Sequence, residues 1–220
     1  MSLFDAVLFD FGHTLFETIP ADVCTAQFET VSGHAIDAGT FATAWEAVRQ
    51  RSRQPDELAK GRDVSAEAHQ RCWLDLLAPL DDLAPGLAEF TYGFECTATG
   101  WRPYPDAPGV LAELRRRGIP VGVVSDCGWD IRTVFTAHDL YGYIDAFDLS
   151  FEHGICKPDP RIFESACSQL GVEHSRTLMV GDTWLTDGGA AAIGIATLIL
   201  PARNRTTSPA LSPVLELTQR

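Results

Sequence analysis

The stretch Ala6-Val7-Leu8-Phe9-Asp10-Phe11-Gly12-His13-Thr14-Leu15 decides how this chain folds. A short unbroken apolar run is typical of a strand that is buried on both faces, and the glycine beyond it predicts a turn. The strand would therefore carry Asp10 to its carboxyl end. Open α/β sheets bind their ligands at that edge, so Asp10 is a candidate functional residue.

Polar side chains follow apolar strands at three later points. Ser125 and Asp187 would each serve equally well as helix caps if they stood alone, and Asp182 as a loop residue. Lys157 is one of only two lysines in the chain, and it lies between a cysteine and a proline, which does not favour an ordinary surface role. The segments are Val123-Val124-Ser125-Asp126, Lys157-Pro158-Asp159-Pro160, and Gly181-Asp182 with Asp187.

Taken in this order with Asp10, the segments resemble the motifs of the haloacid dehalogenase-like hydrolase superfamily, which consists mostly of magnesium-dependent phosphatases. The resemblance extends from Ala6 to Leu200. It implies an α/β fold, a doubly wound (Rossmann-like) parallel sheet with an inserted α-helical bundle as a cap. It also implies an enzyme that hydrolyses a small phosphorylated metabolite.

The resemblance further implies roles for individual residues. Asp10 is expected to be the nucleophile, which receives the phosphoryl group as an aspartyl phosphate. Ser125 and Lys157 are expected to be catalytic and to contact that group, and Asp126 is expected to contact the substrate. The cofactor is expected to be Mg²⁺, which prefers oxygen ligands, held by Asp10, the carbonyl of Gly12, Asp182 and Asp187.

Gly12 departs from the superfamily pattern. Most of these phosphatases have a second aspartate two residues after the nucleophile, and it protonates the leaving oxygen and then activates water. General acid–base help of this kind is worth about 10²–10⁴-fold, and glycine cannot supply it. His13 is adjacent and titrates near neutrality, so it is one candidate replacement. A histidine that only occupies the turn, without a catalytic role, explains the residue equally well.

The segment after the first strand has a helical rather than a strand period. We predict a core of residues 1–15 and 102–220 and a cap of about four helices over residues 16–101. Trp45 and Trp73 are expected to pack in the interior of the cap. Three alternating arginines would form either a solvated face or an anion-binding site: Arg49, Arg51 and Arg53.

Beyond the cap, strands and helices alternate, as expected for a parallel sheet with helices on both faces. Asp106 is placed to cap a helix over residues 107–117, which should end at Gly118. A further helix is predicted over residues 187–193. The polar, proline-containing stretch 201–213 is predicted to be a surface loop.

Composition narrows the partners. The net charge of −13 disfavours nucleic acid and anionic membranes. No apolar run approaches the roughly 20 residues of a membrane span, and no signal-peptide pattern opens the chain, which predicts a cytoplasmic protein. The six cysteines show no CxxC pair and are expected to be reduced thiols.

Three rivals remain beside the phosphatase. A 2-haloacid dehalogenase would also lack the second aspartate, but such enzymes need no metal and lack the pair Gly181-Asp182. A phosphonoacetaldehyde hydrolase would need a cap lysine for a Schiff base, and Lys60 in its polar surroundings is the only one available. A non-catalytic binding protein is supported by Gly12 alone. Neither the substrate nor the oligomeric state follows from the sequence.

Overall fold

The computed structural model describes residues 3–200 and 211–219. Its strands are β1 (Ala6–Phe9), β2 (Phe16–Thr18), β3 (Trp101–Pro103), β4 (Val121–Ser125), β5 (Ala146–Leu149), β6 (Thr177–Gly181) and β7 (Ala196–Ile199). Its α-helices are α1 (Ala21–Ser32), α2 (Ala38–Ser52), α3 (Pro55–Leu58), α4 (Ala66–Leu77), α5 (Leu87–Glu95), α6 (Ala107–Arg117), α7 (Arg132–Ala137), α8 (Ser150–His153), α9 (Pro160–Leu170), α10 (Trp184–Asp187) and α11 (Ser212–Leu217). The longest of the 3₁₀ turns runs from Gly188 to Ile193.

A parallel sheet forms the centre of the molecule, with its described strands in the order β5-β4-β1-β6-β7. The central strand is β1, in which Val7 lies opposite Val121 on one side and Leu178 on the other. Every residue of β1, β4 and β6 is buried. Full burial explains why these strands read as continuous apolar runs rather than as alternating patterns.

Helices cover both faces of this sheet. On one face Phe9 and Val180 pack in a cluster with Leu111 of α6, Phe135 of α7 and Val214 of α11. On the other face the cluster consists of Leu8, Val124 and Met179 with residues of α9 such as Phe163. This is the doubly wound, Rossmann-like α/β fold that the sequence predicts, with a helical insertion after β1.

The insertion leaves and rejoins the sheet-forming part of the chain through the short antiparallel pair β2–β3, in which Phe16 lies opposite Pro103. Between these strands lie α1 to α5, and they share a hydrophobic cluster of their own that includes Phe28, Phe41, Leu77, Leu80 and Leu87. That residues 16–101 act as a separate cap domain, with 1–15 and 102–220 as the core, stays a prediction.

Several local predictions need correction. Asp106 precedes α6 but does not cap it with its side chain, because Oδ2 accepts a hydrogen bond from the backbone N–H of Leu211 at 2.9 Å. The helix predicted over residues 187–193 is instead a single α-turn, α10, followed by a 3₁₀ turn. Of the predicted loop 201–213, residues 201–210 lie outside the described residues, Leu211 is buried and α11 begins at Ser212.

Among the described residues no helix combines the length and the apolar character that crossing a bilayer requires. All six cysteines are unpaired, and four of them are buried.

Candidate active site

The candidate site is built at the carboxyl edge of three adjacent strands. Asp10 follows β1, Ser125 ends β4 and Asp182 follows β6. Because neighbouring parallel strands end side by side, residues far apart in sequence meet at this edge. Lys157 reaches the same place from the loop before α9.

Lys157 is the centre of the cluster. Its Nζ donates to Oδ1 of Asp10 at 2.7 Å and to Oδ1 of Asp187 at 2.7 Å. The ammonium is buried, with a side-chain exposure of 3%. Burial opposes the charge, but the carboxylates of Asp10 and Asp187 outweigh it and hold the pKa of Lys157 well above its usual value. The residue is therefore a fixed positive charge beside the predicted nucleophile.

The carboxylates at this edge form a candidate metal centre. Asp10, Asp182 and Asp187 each offer one oxygen, and these oxygens all lie within 4.8 Å of one another. Burial, joined by the charges of Asp187 and Asp182, raises the pKa of Asp10 to about 8 in spite of Lys157. When all three are ionised, the carboxylates outnumber the one ammonium by two charges, and a hard divalent cation that prefers oxygen ligands would balance this surplus. The donor set fits Mg²⁺.

The chain holds Asp187 by local contacts. Its Oδ2 accepts a hydrogen bond from the backbone N–H of Thr183 at 3.0 Å, so the carboxylate turns back over α10 instead of capping the residues that follow. Gly181 makes this possible, because a Cβ at that position would collide with the carboxyl group of Asp187. On the other side of the cluster, Thr14 lies 3.5 Å from Oδ2 of Asp10.

The two residues of the second predicted motif differ in their surroundings. Ser125 is buried at the end of β4 and lines the cavity above Asp10. Asp126 also lines that cavity, but its Oδ1 accepts a hydrogen bond from the backbone N–H of Lys157 at 2.9 Å. Burial raises the pKa of Asp126 to about 6. The geometry gives Asp126 a part in holding the Lys157 loop, and substrate contact by this residue stays a prediction.

Gly12 and His13 form the turn beside the nucleophile. The backbone of Gly12 does not need the left-handed region, and a Cβ there would lie 3.6 Å from the Trp101 ring, an ordinary contact. His13 does adopt a positive φ of 60°. Its Nε2 lies 3.3 Å from Nη2 of Arg49. The turn thus has room for a side chain at position 12, and His13 is linked to α2.

A cavity of about 680 Å³ extends from Asp10 into the helical insertion. Trp45 and Trp73 line it while their other sides pack on the hydrophobic cluster of the insertion, so the expectation that they are interior residues is only half right. Arg49 and Arg53 also line it, whereas Arg51 pairs with Asp56 at 2.6 Å.

Several lining residues were not found from the sequence. His69 Nδ1 lies 3.1 Å from the hydroxyl of Tyr92, and Glu95 lies three residues further along. Burial raises the pKa of Glu95 to about 8, against the attraction of Arg49. These residues occur in helices with no motif around them, so only the packing of α4 against α5 identifies them.

Comparison with known proteins is consistent with this geometry. A family model described as haloacid dehalogenase-like hydrolase matches residues 4–194. Phosphoserine phosphatase of Thermus thermophilus is 34% identical over 116 residues, which are 52% of this chain and 47% of that protein. (S)-2-haloacid dehalogenase 1 of a Pseudomonas species is 31% identical over 111 residues, 50% of this chain and 49% of that protein. The matches thus span about half the length of these two relatives.

Solved structures resemble the fold over nearly the full chain. L-2-haloacid dehalogenase from Xanthobacter autotrophicus, with chloropropionic acid covalently bound, superposes with a TM-score of 0.68 at 21% identity. That match covers 99% of this chain and 85% of the dehalogenase chain. At this identity the likeness establishes the architecture alone.

Proposed function

Because the chain belongs to the haloacid dehalogenase-like hydrolase family, we propose that it is a magnesium-dependent phosphatase. Its substrate would be a small-molecule phosphate monoester, and the reaction would pass through an aspartyl phosphate on Asp10. Phosphoserine phosphatase of Thermus thermophilus, a relative of half the chain, supports phosphoryl chemistry.

The observation that supports the proposal most strongly is that three carboxylates lie close together around one buried ammonium. Asp10, Asp182 and Asp187 converge within 4.8 Å, and Lys157 bridges two of them. Phosphoryl transfer needs an in-line nucleophile together with cations that neutralise the equatorial oxygens. Mg²⁺, held by these carboxylates and by the Gly12 carbonyl, would supply that neutralisation when bound.

The residues of the chain would divide the remaining work. Asp10 attacks phosphorus, and its carboxylate suits the role because the resulting mixed anhydride is readily hydrolysed. Lys157 holds Asp10 in position and offsets the charge of the transferring group as a compact point charge. Ser125 would donate its hydroxyl to a phosphoryl oxygen. The helical insertion would exclude bulk water from the cavity.

A 2-haloacid dehalogenase is the second candidate function, because half the chain is related to such an enzyme of Pseudomonas. That chemistry also uses a carboxylate nucleophile. The carboxylate cluster argues against it, since Asp182 and Asp187 would have no charge to balance in a metal-free reaction.

The surroundings of Lys60 argue against a phosphonoacetaldehyde hydrolase. The lysine Nζ donates to Oε1 of Glu57 at 2.9 Å, and this hydrogen bond raises the pKa of Lys60. Schiff-base formation needs a lysine with a lowered pKa. The non-catalytic reading predicts that no substrate is turned over at all.

The experiment is a phosphate-release assay on a panel of phosphorylated metabolites, run with Mg²⁺ and with excess EDTA. Asp10→Asn should lower turnover at least about 10³-fold, because a nucleophile is lost. Asp75→Asn, the same exchange on the exposed side of α4, should not change it. Halide release from 2-chloropropionate in EDTA would instead support the dehalogenase. Phosphate release that survives in EDTA, or in Asp10→Asn, would disprove the mechanism.

A further inference from the structure

The tryptophans of this chain are concentrated around the cavity. Of five tryptophans, four line it: Trp45, Trp73, Trp101 and Trp129. All four are half-buried, so each leaves part of its ring area exposed to the cavity. Exposed indole area has to be covered by something apolar to be stabilising, and aromatic ligands cover it best.

The rings come from both sides of the cavity. Trp45 and Trp73 belong to the helical insertion, and their centroids lie 6.3 Å apart. Trp101 at the end of the insertion and Trp129 after β4 both contact Phe11, at 4.7 Å and 6.5 Å between centroids. A flat ligand that enters between insertion and sheet therefore meets indole surfaces from both parts of the chain.

One polar group of the same wall, Arg62, is engaged with its neighbours. Arg62 donates to the carbonyl of Ser52 at 2.7 Å, lies 3.3 Å from Asp63, and stacks 5.0 Å above the centroid of Trp73. A sugar or polyol is recognised by polar groups that are available to its hydroxyls. This part of the wall offers ring faces in their place.

Positions 12 and 13, which follow the nucleophile, supply no acid for the leaving group. A Cβ at Gly12 would point at the Trp101 ring. The nearby His13 Nε2 faces the guanidinium of Arg49 at 3.3 Å. Since a guanidinium has only donors, this nitrogen accepts the Arg49 N–H and is not available to the leaving group. Such a site favours a leaving group that departs as an anion.

Glu95 is a further acid on the cavity wall, where Asp126 accepts from the backbone N–H of Lys157 and Asp63 pairs with Arg62. The groups whose charges interact with the carboxyl of Glu95 are Arg49, Cys24 and Cys96, all within the helical insertion. The variant Glu95→Gln tests whether this carboxyl reaches the bond that breaks.

We infer that the substrate is an aryl phosphate, a monoester whose bridging oxygen is attached directly to an aromatic ring. The inference rests on the proposed function. A carboxylate oxygen of Asp10 bonds to phosphorus, the P–O(aryl) bond breaks, and its electron pair leaves on the aryl oxide. Water then adds to phosphorus, which returns the Asp10 carboxylate and gives dihydrogen phosphate, so that both protons of the water stay on the product.

Three matched esters separate the two parts of the inference. Phenyl phosphate has an aromatic ring and an aryl oxide leaving group, benzyl phosphate has the ring but an alkoxide, and cyclohexyl phosphate has neither. Binding is measured by calorimetry on Asp10→Asn with Mg²⁺. Phenyl and benzyl phosphate should bind alike, and about threefold to tenfold more tightly than cyclohexyl phosphate.

Turnover on the unaltered protein should follow the leaving group. Phenyl phosphate should have a kcat at least about 10²-fold above that of benzyl phosphate, because acid help is missing. Trp45→Leu should remove the preference for aromatic rings, and Trp45→Phe should keep it. Tyr141→Leu removes an exposed ring from the segment before β5, at the opposite end of the sheet, and should change neither quantity.

Each contrary result has a definite meaning. Equal binding of phenyl and cyclohexyl phosphate, or a benzyl kcat equal to the phenyl kcat, overturns the inference. In the second case a further loss in Glu95→Gln would identify the missing acid. Faster hydrolysis of glycerol phosphate than of phenyl phosphate also overturns the inference but leaves the phosphatase intact. If no ester releases phosphate with Mg²⁺, the proposed function fails as well.

Discussion

The backbone N–H of Lys157 donates to Oδ1 of Asp126 at 2.9 Å, although 31 residues separate the two in the chain. The bond fixes the loop from which the Lys157 ammonium reaches Asp10 and Asp187. We therefore expect Asp126 to act through Lys157 as a positioning residue. Supporting contacts of this kind hold catalytic groups within the narrow geometry that chemistry needs.

Replacement of Asp126 should therefore affect turnover more than binding. Asp126→Ala should lower kcat about tenfold to 100-fold with little change in KM, by analogy with supporting contacts elsewhere. Asp126→Asn keeps an acceptor oxygen and should recover most of the loss. Asp130→Ala, at an exposed aspartate in the same loop, is the control. A rise in KM at constant kcat would contradict this role and favour direct substrate contact.

Removal of the buried ammonium should cost both activity and stability. Lys157→Gln leaves the carboxylates of Asp10 and Asp187 without their partner, and breaking a buried ion pair in this way costs about 3–5 kcal/mol. Urea unfolding measures the loss. Arg176→Gln is the control because it breaks an ion pair with Asp5 in which both side chains are exposed, and little loss is expected there. Equal losses in the two variants would contradict the prediction.

Position 12 should accept an aspartate. The backbone there does not need a glycine conformation, and a Cβ would make only an ordinary contact with Trp101. Gly12→Asp should raise kcat on benzyl phosphate by up to about 10²-fold through restored acid help and leave phenyl phosphate little changed. Gly12→Ala adds the Cβ without the carboxyl and should raise neither rate. Loss of all activity in both variants would mean that the site needs the space.

The pH dependence of the unfolding free energy should reveal the raised pKa of Glu95. Burial raises its pKa from 4.5 to about 8, so the folded protein keeps a proton that the unfolded chain loses. Folding therefore becomes less favourable as the pH rises through this interval. Glu95→Gln, which cannot ionise, should match the wild type near pH 4 and exceed it near pH 9 by on the order of 2–4 kcal/mol in unfolding free energy. Parallel pH profiles for the two proteins would refute the assignment.

The sequence predicted best where one interaction dominates. Because β1 and β4 are buried on both faces, they consist of apolar runs, and these runs locate the strands in the sequence. The sequence did not predict β2 and β3, because three residues are too few to show an alternation of apolar and polar side chains. Their pairing depends on two segments meeting in space.

Long-range contacts account for the other differences. Asp106 has the position of a helix cap, but its carboxylate bonds to Leu211, more than a hundred residues away. Trp45 and Trp73 belong to helical apolar patterns, which indicate that one side of each helix is buried. The patterns do not show that these rings also line a cavity. The motif residues Asp10, Lys157, Asp182 and Asp187 meet where the resemblance implied, whereas their chemical roles stay predictions.

Thr18 pairs with Trp101, so the chain enters and leaves the helical insertion at neighbouring positions. Such a block can be lengthened, shortened or exchanged without altering the order of strands in the parallel sheet, because both ends leave from the same hydrogen-bonded pair. Asp10, Lys157 and Asp182 all lie outside it, while Trp45 and Trp73 lie within it. The two halves of the cavity can therefore accept sequence changes independently of each other.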